Sequence, residues 1–217
     1  MNENLIAYAA AYLLGGIPSG VILAYIFGGV NIRSEGSGSI GATNVLRVLK
    51  QKDPKLAKKI AILTVVCDVL KGVLPILIAK FLGLAPATLW AMAVLSVLGH
   101  CYSPFLKFEG GKGIATGAGV LAVFLPLEIT IALGVWFVVG KLLKISSLAS
   151  LAALAAFIVA TFALQPQIPD IDSYAPIFLI AFLVVYKHLP NIKRLITGQE
   201  KPVLHSQGRL KSFRRPH

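Results

Sequence analysis

The sequence predicts an all-α, polytopic membrane protein of about seven transmembrane helices, with the N-terminus outside and the C-terminus in the cytoplasm. Three observations predict it. Of the 217 residues 56% are hydrophobic and the mean hydropathy is +0.78, a composition that water-soluble domains of this length rarely reach. The apolar residues fall into successive runs, at about 4–28, 60–82, 87–106, 114–126, 127–144, 147–164 and 174–189. Cations crowd alternate connections only.

The first run opens on Met1-Asn2-Glu3-Asn4, without a basic leader, and continues far past the length of a signal-peptide core. It is expected to remain as a span. The segment after it, 31–59, carries Arg33, Arg47, Lys50, Lys52, Lys55, Lys58 and Lys59. The second run holds Asp68 and Lys71 three residues apart, one helical turn, and charges at that depth are costly unless paired. They are expected to pair and orient helices. The third run ends at Gly99-His100, followed by a loop with Lys107 and Lys112. The fourth is short, and Pro126 separates it from the fifth, so the two are expected to form a helical hairpin or a re-entrant pair. Lys141 and Lys144 close the fifth. Ser146, Ser147 and Ser150 open the sixth, where capping and close packing are the expected roles. The seventh ends at His188-Leu189-Pro190-Asn191, and Lys193, Arg194, Lys201, Arg209, Lys211, Arg214 and Arg215 follow it.

The opposite connections carry little beyond Lys80, Glu128, Asp170 and Asp172. The positive-inside rule then sets the orientation, and an odd number of spans satisfies it. Residues 1–217 read as a single domain with a basic tail at about 201–217. The net charge of +12 is spread between apolar spans rather than gathered on one soluble face, which argues against nucleic-acid binding. Cys67 and Cys101 sit within spans and read as packing residues, and no CxxC or histidine-rich spacing points to a metal. Neither a metal nor a cofactor is expected.

Two glycine-rich segments carry the chemistry. The first is Gly36-Ser37-Gly38-Ser39-Ile40-Gly41-Ala42-Thr43-Asn44, followed by Arg47. The second is Phe108-Glu109-Gly110-Gly111-Lys112-Gly113, after Gly99-His100, with Thr116 one turn further on. Glycines leave backbone N–H groups open, and Ser, Thr, Lys and Arg add donors and charge, the chemistry that holds phosphate. If the chain is helical from about 41, Thr43, Asn44 and Arg47 share one face. The bland alternatives are a loop with an ordinary cap for the first segment, and a topogenic lysine at a helix end for the second. Gly-Gly-Lys-Gly is not a Walker A loop, because the glycine spacing and the Lys-Ser/Thr pair are missing. His100 and His188 titrate near neutral pH and are candidate proton acceptors, although a lone histidine is more often structural.

With these residues quoted, the pattern Gly-Ser-Gly-Ser-Ile-Gly-Ala-Thr-Asn-Val-Leu-Arg (36–47) resembles the first motif of the bacterial acyl-phosphate:glycerol-3-phosphate acyltransferases, the PlsY family. Gly99-His100 and Phe108 to Thr116 look like the second. His188 to Asn191, Arg194-Leu195, Gly198 and Glu200 look like the third. The family pattern has Asn where this chain has Ser39. The resemblance implies transfer of a fatty acyl group from acyl phosphate to the 1-hydroxyl of glycerol 3-phosphate, in phospholipid synthesis at the bacterial cytoplasmic (inner) membrane. Its partners would be those two substrates and membrane lipid, with no obligate protein partner. It also implies Lys112, Arg47, Ser37 and His100 as catalytic residues. Gly38, Ser39, Gly41, Thr43, Asn44, Gly110, Gly111, Gly113, Thr116, His188 and Asn191 would bind substrate. A His-x4-Asp acyltransferase mechanism is excluded, since Phe105 and Lys193 stand where the Asp after His100 and His188 would be. The competing expectation is a transporter for an organic phosphate, which basic loops and intramembrane Asp68 would also fit.

Overall fold

The computed structural model describes residues 2–168, 170–200 and 202; the expected basic tail at 201–217 lies, apart from Pro202, outside them. Among the described residues all regular structure is helical. Six helical segments are long and apolar enough to cross a bilayer. In chain order the helices are α1 (Glu3–Gly15), α2 (Ser19–Gly28), α3 (Ala42–Leu49), α4 (Pro54–Phe81), α5 (Pro86–Cys101), α6 (Ile114–Ala122), α7 (Pro126–Leu143), α8 (Ser146–Leu164) and α9 (Ala175–Ile196).

The spans differ from the sequence expectation in definable ways. The first is broken into α1 and α2 at Gly16-Ile17-Pro18, where proline has no N–H to continue the ladder. The second starts at Pro54, not 60. Asp53 caps it by accepting from the Lys55 and Leu56 N–H groups, so the helix begins before its apolar stretch does. The seventh continues through Pro190 to Ile196. The expected fourth span is only the nine-residue α6, roughly 14 Å long at 1.5 Å per residue, well short of a bilayer core. The chain leaves the helix at Val123 and re-enters one at Pro126.

Small residues set the packing. A Cβ on Gly99 would lie 2.1 Å from the Tyr12 carbonyl oxygen, so α1 and α5 touch backbone to backbone there. α4 and α6 also pack closely, with Gly119 against Val69 and Gly72 against the Val120 and Thr116 side chains. One buried cluster, including Trp90, Val97, Phe157 and Ile180, fills the bundle. A second, around Ile32, Val45, Leu49 and Ile60, seats α3 on the start of α4. Large apolar side chains such as Phe81, Leu142, Val159 and Phe182 stay exposed, which in water would be a liability and in lipid is the solvated surface.

The intramembrane charges pair as expected. Lys71 Nζ lies 2.8 Å from Asp68 Oδ1 and donates to the Ile17 carbonyl, also at 2.8 Å. The lysine thereby joins the Ser19 N–H at the Ile17 carbonyl and ties α4 to the break between α1 and α2.

Candidate active site

The two glycine-rich segments meet at one cavity of about 1340 Å³. Gly36, Ser37, Ser39, Gly41, Thr43, Asn44 and Arg47 line it from the first, and Lys112 and Gly113 from the second; His100, His188 and Asn191 join them. Residues separated by up to 166 positions in the chain thus face one space (36 to 202).

The first segment is knotted by one side chain. Asn44, almost fully buried, accepts from the Ser37 N–H at 2.8 Å. Its Nδ2 reaches the carbonyls of Ile32, Ser39 and Glu35 at 2.8, 2.9 and 3.2 Å. Gly36 has φ +64°, and a Cβ there would strike the Asn44 oxygen at 2.2 Å, so both conformation and space demand glycine. Asn44 therefore shapes the loop, and its carboxamide is committed to backbone rather than offered to a ligand. Thr43 Oγ1 lies 3.1 Å from Ser146 Oγ, joining α3 to α8.

The second segment is built on His100. The Gly111 N–H donates to the His100 carbonyl at 3.0 Å. A Cβ on Gly111 would lie 2.1 Å from His100 Nε2, and one on Gly110 would lie 2.2 Å from the His100 carbonyl oxygen. The imidazole is thus a strut under the Lys112 loop. Its Nδ1 lies 3.3 Å from Thr116 Oγ1 and 3.8 Å from Asp68 Oδ1. Thr116 donates to the Asp68 carbonyl, so its oxygen accepts from the ring N–H. Thr116 is fully buried and stands behind the cavity wall. Gly38, Gly110 and Gly111 likewise support the lining rather than form it.

Three helices present bare N-termini to this cavity. α3 begins after Gly41, α6 after Gly113 and α8 after Ile145, and none has a side-chain cap; α2, α5, α7 and α9 lack one too, and only α1 and α4 among the described helices are capped, by Asn2 and Asp53. Gly41, Ala42 and Thr43, then Gly113, Ile114 and Ala115, then Ser146 and Ser147 line the space. Uncapped first turns leave N–H donors and partial positive charge for an anion. Arg47 and Lys112 form no ion pair among the described residues. Burial, with the neighbouring Arg194 and Arg47 guanidiniums, brings the Lys112 ammonium down from 10.5 to about 8, against the opposing pull of Glu200.

On the far wall, His188 Nδ1 is 2.7 Å from the Val184 carbonyl, which makes it the protonated nitrogen and leaves Nε2 as an acceptor. Glu200 accepts from Ser147 Oγ at 2.6 Å, from Asn191 Nδ2 at 2.5 Å and from Arg194 Nε at 2.6 Å, tying α8 to α9. Ser146, Ser147, Ser150 and Arg194 also line the cavity. Sequence reasoning did not place these four at the site; the serines standing immediately after the basic turn Lys141–Lys144 were the available signal. Arg33 and Glu109 bridge the two loops at 2.6 Å on the exposed rim.

Two glycine loops, three uncapped helix starts and the cations Arg47 and Lys112, gathered at one cavity of an apolar bundle, form a site suited to anionic groups within an integral membrane protein. A family profile described as glycerol-3-phosphate acyltransferase matches residues 5–198, and the chain belongs to that family. Two relatives named glycerol-3-phosphate acyltransferase are similar over 93% of this chain. The one from Campylobacter concisus is 69% identical and covered over its whole length, and the one from Nitratiruptor is 62% identical and covered over 97%. Among solved structures, PlsY, an integral membrane glycerol 3-phosphate acyltransferase, is similar in its glycerol 3-phosphate form. The TM-score is 0.81 and the identity 35%, over 93% of this chain and 96% of that one. The lysophosphatidic acid form gives a TM-score of 0.79. The protein is therefore a glycerol-3-phosphate acyltransferase.

Proposed function

We propose that this enzyme takes its acyl group from an acyl phosphate. In this reading the 1-hydroxyl of glycerol 3-phosphate attacks the acyl carbon, the bond to the phosphate oxygen breaks, and 1-acylglycerol 3-phosphate (lysophosphatidic acid) and inorganic phosphate leave. The observation that carries it is the convergence of two glycine loops and three uncapped helix N-termini on one cavity. That is provision for two phosphate groups rather than one. A mixed anhydride is already activated, so no covalent enzyme intermediate is needed, and positioning with charge stabilisation supplies the catalysis.

Arg47 and Lys112 hold phosphate and the charge that grows on the leaving group, helped by Ser37, Thr43 and the bare first-turn N–H groups of α3 and α6. Ser39 lines the same wall with a shorter donor than the family's Asn. His188 Nε2 and Asn191 orient the glycerol hydroxyls. Solved PlsY forms with glycerol 3-phosphate and lysophosphatidic acid support the acceptor and product. The cations Arg47, Lys50, Lys112 and Arg194 on the cavity wall support, by the positive-inside rule, a cytoplasm-facing site.

The test is a donor comparison on purified protein given glycerol 3-phosphate and palmitoyl phosphate, palmitoyl-CoA or palmitoyl-carrier protein. Phosphate and lysophosphatidate are expected from acyl phosphate alone, and Lys112→Ala and Arg47→Ala are expected to abolish transfer while still folding. Turnover only with a thioester overturns the donor. Replacement of His188 by Asn reads the proton path: a large kcat loss makes Nε2 the acceptor, and retained turnover assigns the proton to a substrate phosphate oxygen.

A further inference from the structure

The cavity has an apolar annex that the phosphate chemistry does not use. A cleft of about 70 Å³ lies between α6, α7, α8 and α9. Gly113, Ile114, Ala118, Ile129 and Ser150 line both it and the main cavity, so the two are continuous. The annex runs past the small residues Gly117, Ala132 and Ala153 to a floor of buried Leu121, Phe157 and Ile180.

Gly117 is the telling position. Lipid-facing Gly134 has open space, but buried glycines elsewhere in this bundle are required by contact: an added Cβ at Gly119, Gly72 or Gly111 would come within 3.0 Å of a neighbour. At Gly117 the nearest atoms would be Ile180 Cγ2 at 3.6 Å and Val97 Cγ2 at 3.8 Å, ordinary van der Waals distances. Its φ is helical, so conformation does not demand glycine either. Glycine inside a helix forfeits stability relative to alanine, and an apolar void forfeits dispersion contacts. A packed membrane core would fill this space, and the missing side chain keeps it open.

We infer that the annex receives the terminal methylenes of the donor's acyl chain, and that Gly117 with Ala153 opposite sets the length of chain accepted. This deepens the acyl-phosphate reading and rests on its acyl half. The occupant follows from continuity: an apolar tail joined to a phosphate held at Lys112 and the α6 N-terminus has Ile114 and Ala118 as its next contacts along that helix. Ser150, shared by both spaces on α8, marks the boundary between polar head and tail.

The experiment measures kcat/KM for saturated acyl phosphates from ten to eighteen carbons, and for the same chains as coenzyme A thioesters, in wild type, Gly117→Leu and Ala153→Leu. The two substitutions enter from opposite walls, so one serves if the other fails to fold. The ratio of twelve- to eighteen-carbon activity is expected to rise at least tenfold in either variant, with KM for glycerol 3-phosphate within twofold of wild type. A profile parallel to wild type in a folded variant overturns the inference. Wild-type turnover confined to thioesters overturns the acyl-phosphate donor instead, while the chain-length profile on thioesters still decides the annex. No turnover from any donor by folded wild type overturns both.

Discussion

Raising the pH from 7 to 9 should switch this enzyme off through Lys112. Its ammonium titrates near 8 in the folded protein rather than at the ordinary 10.5, chiefly because burial disfavours the charged form. With that midpoint about 90% of Lys112 is charged at pH 7 and about 10% at pH 9. If phosphate binding needs the cation, kcat/KM for glycerol 3-phosphate falls close to tenfold over that interval. The displacement corresponds to about 3 kcal/mol working against the charged, substrate-free site. A bound phosphate returns part of this, so the limb in kcat should lie at higher pH than the limb in kcat/KM. Stability moves the other way. Below pH 8 the charged lysine is costly to the fold, and that cost is relieved as pH rises toward 10.5, where the unfolded chain also loses the proton. Thermal midpoints should therefore climb over pH 8 to 10 while activity falls, and Lys112→Met should remove the stability trend. Initial rates with saturating acyl phosphate, corrected for spontaneous hydrolysis, give the measurement. A flat kcat/KM to pH 9.5, or a Lys112→Arg variant declining with the wild-type midpoint, refutes the reasoning.

Asn44→Ala deletes the hydrogen bonds that close the first loop, each worth about 1 kcal/mol. Transfer should drop by at least about 10²-fold, and amide exchange over 32–39 should accelerate; unchanged exchange there would contradict the knot. Asp68→Asn leaves the Lys71 charge buried without its partner and should cost about 3–5 kcal/mol of stability in thermal unfolding, whereas the double change Asp68→Leu, Lys71→Met should recover most of it. Arg33→Ala, by contrast, breaks a pair whose glutamate is 76% exposed. Such a pair contributes about 0–1 kcal/mol, so activity should stay within twofold.

Hydropathy made most of the helices legible because lipid solvates the outside of this bundle as its core solvates the inside. Where a helix end is decided by other chemistry, the same signal misled. Residues 114–126 are apolar enough to read as a span, but the chain unwinds at Val123 and restarts at Pro126, leaving the short α6. The cradle residues were legible as types: glycines for conformation, Arg47 and Lys112 for charge. Their division of labour was not. Starting α6 at Ile114 turns Thr116 toward the Asp68 carbonyl on α4, and no pattern local to 110–116 shows that. Asn44 looked like a ligand for substrate, yet its partners at 32, 35, 37 and 39 exist only once the loop has folded over it. Ser147 reads as a capping residue until its partner Glu200, 53 positions later, is placed beside it.

On the acyl-phosphate reading, the way charge is supplied explains why so few cations suffice for two phosphates. Each buried ammonium carries a desolvation cost, as the depressed Lys112 shows, and a third or fourth unpaired cation would burden the empty site further. Helix N-termini carry no such cost, because their partial charge is covalently built in and cannot titrate. Three of them, each equivalent to about half an elementary charge, bring on the order of 1.5 charges to the cavity. With Arg47 and Lys112 the sum approaches the charge of two phosphate groups, and Glu200, spent on Ser147, Asn191 and Arg194, keeps the third cation on that wall neutralised. The glycines at 41 and 113, in the capping positions of α3 and α6, are consistent with this economy. A Ser or Asp there would cap the helix and strengthen it, and would also occupy the donors that the phosphate needs. The site thus gives up helix stability at its capping positions in exchange for anion affinity, and the gain appears only when substrate is bound.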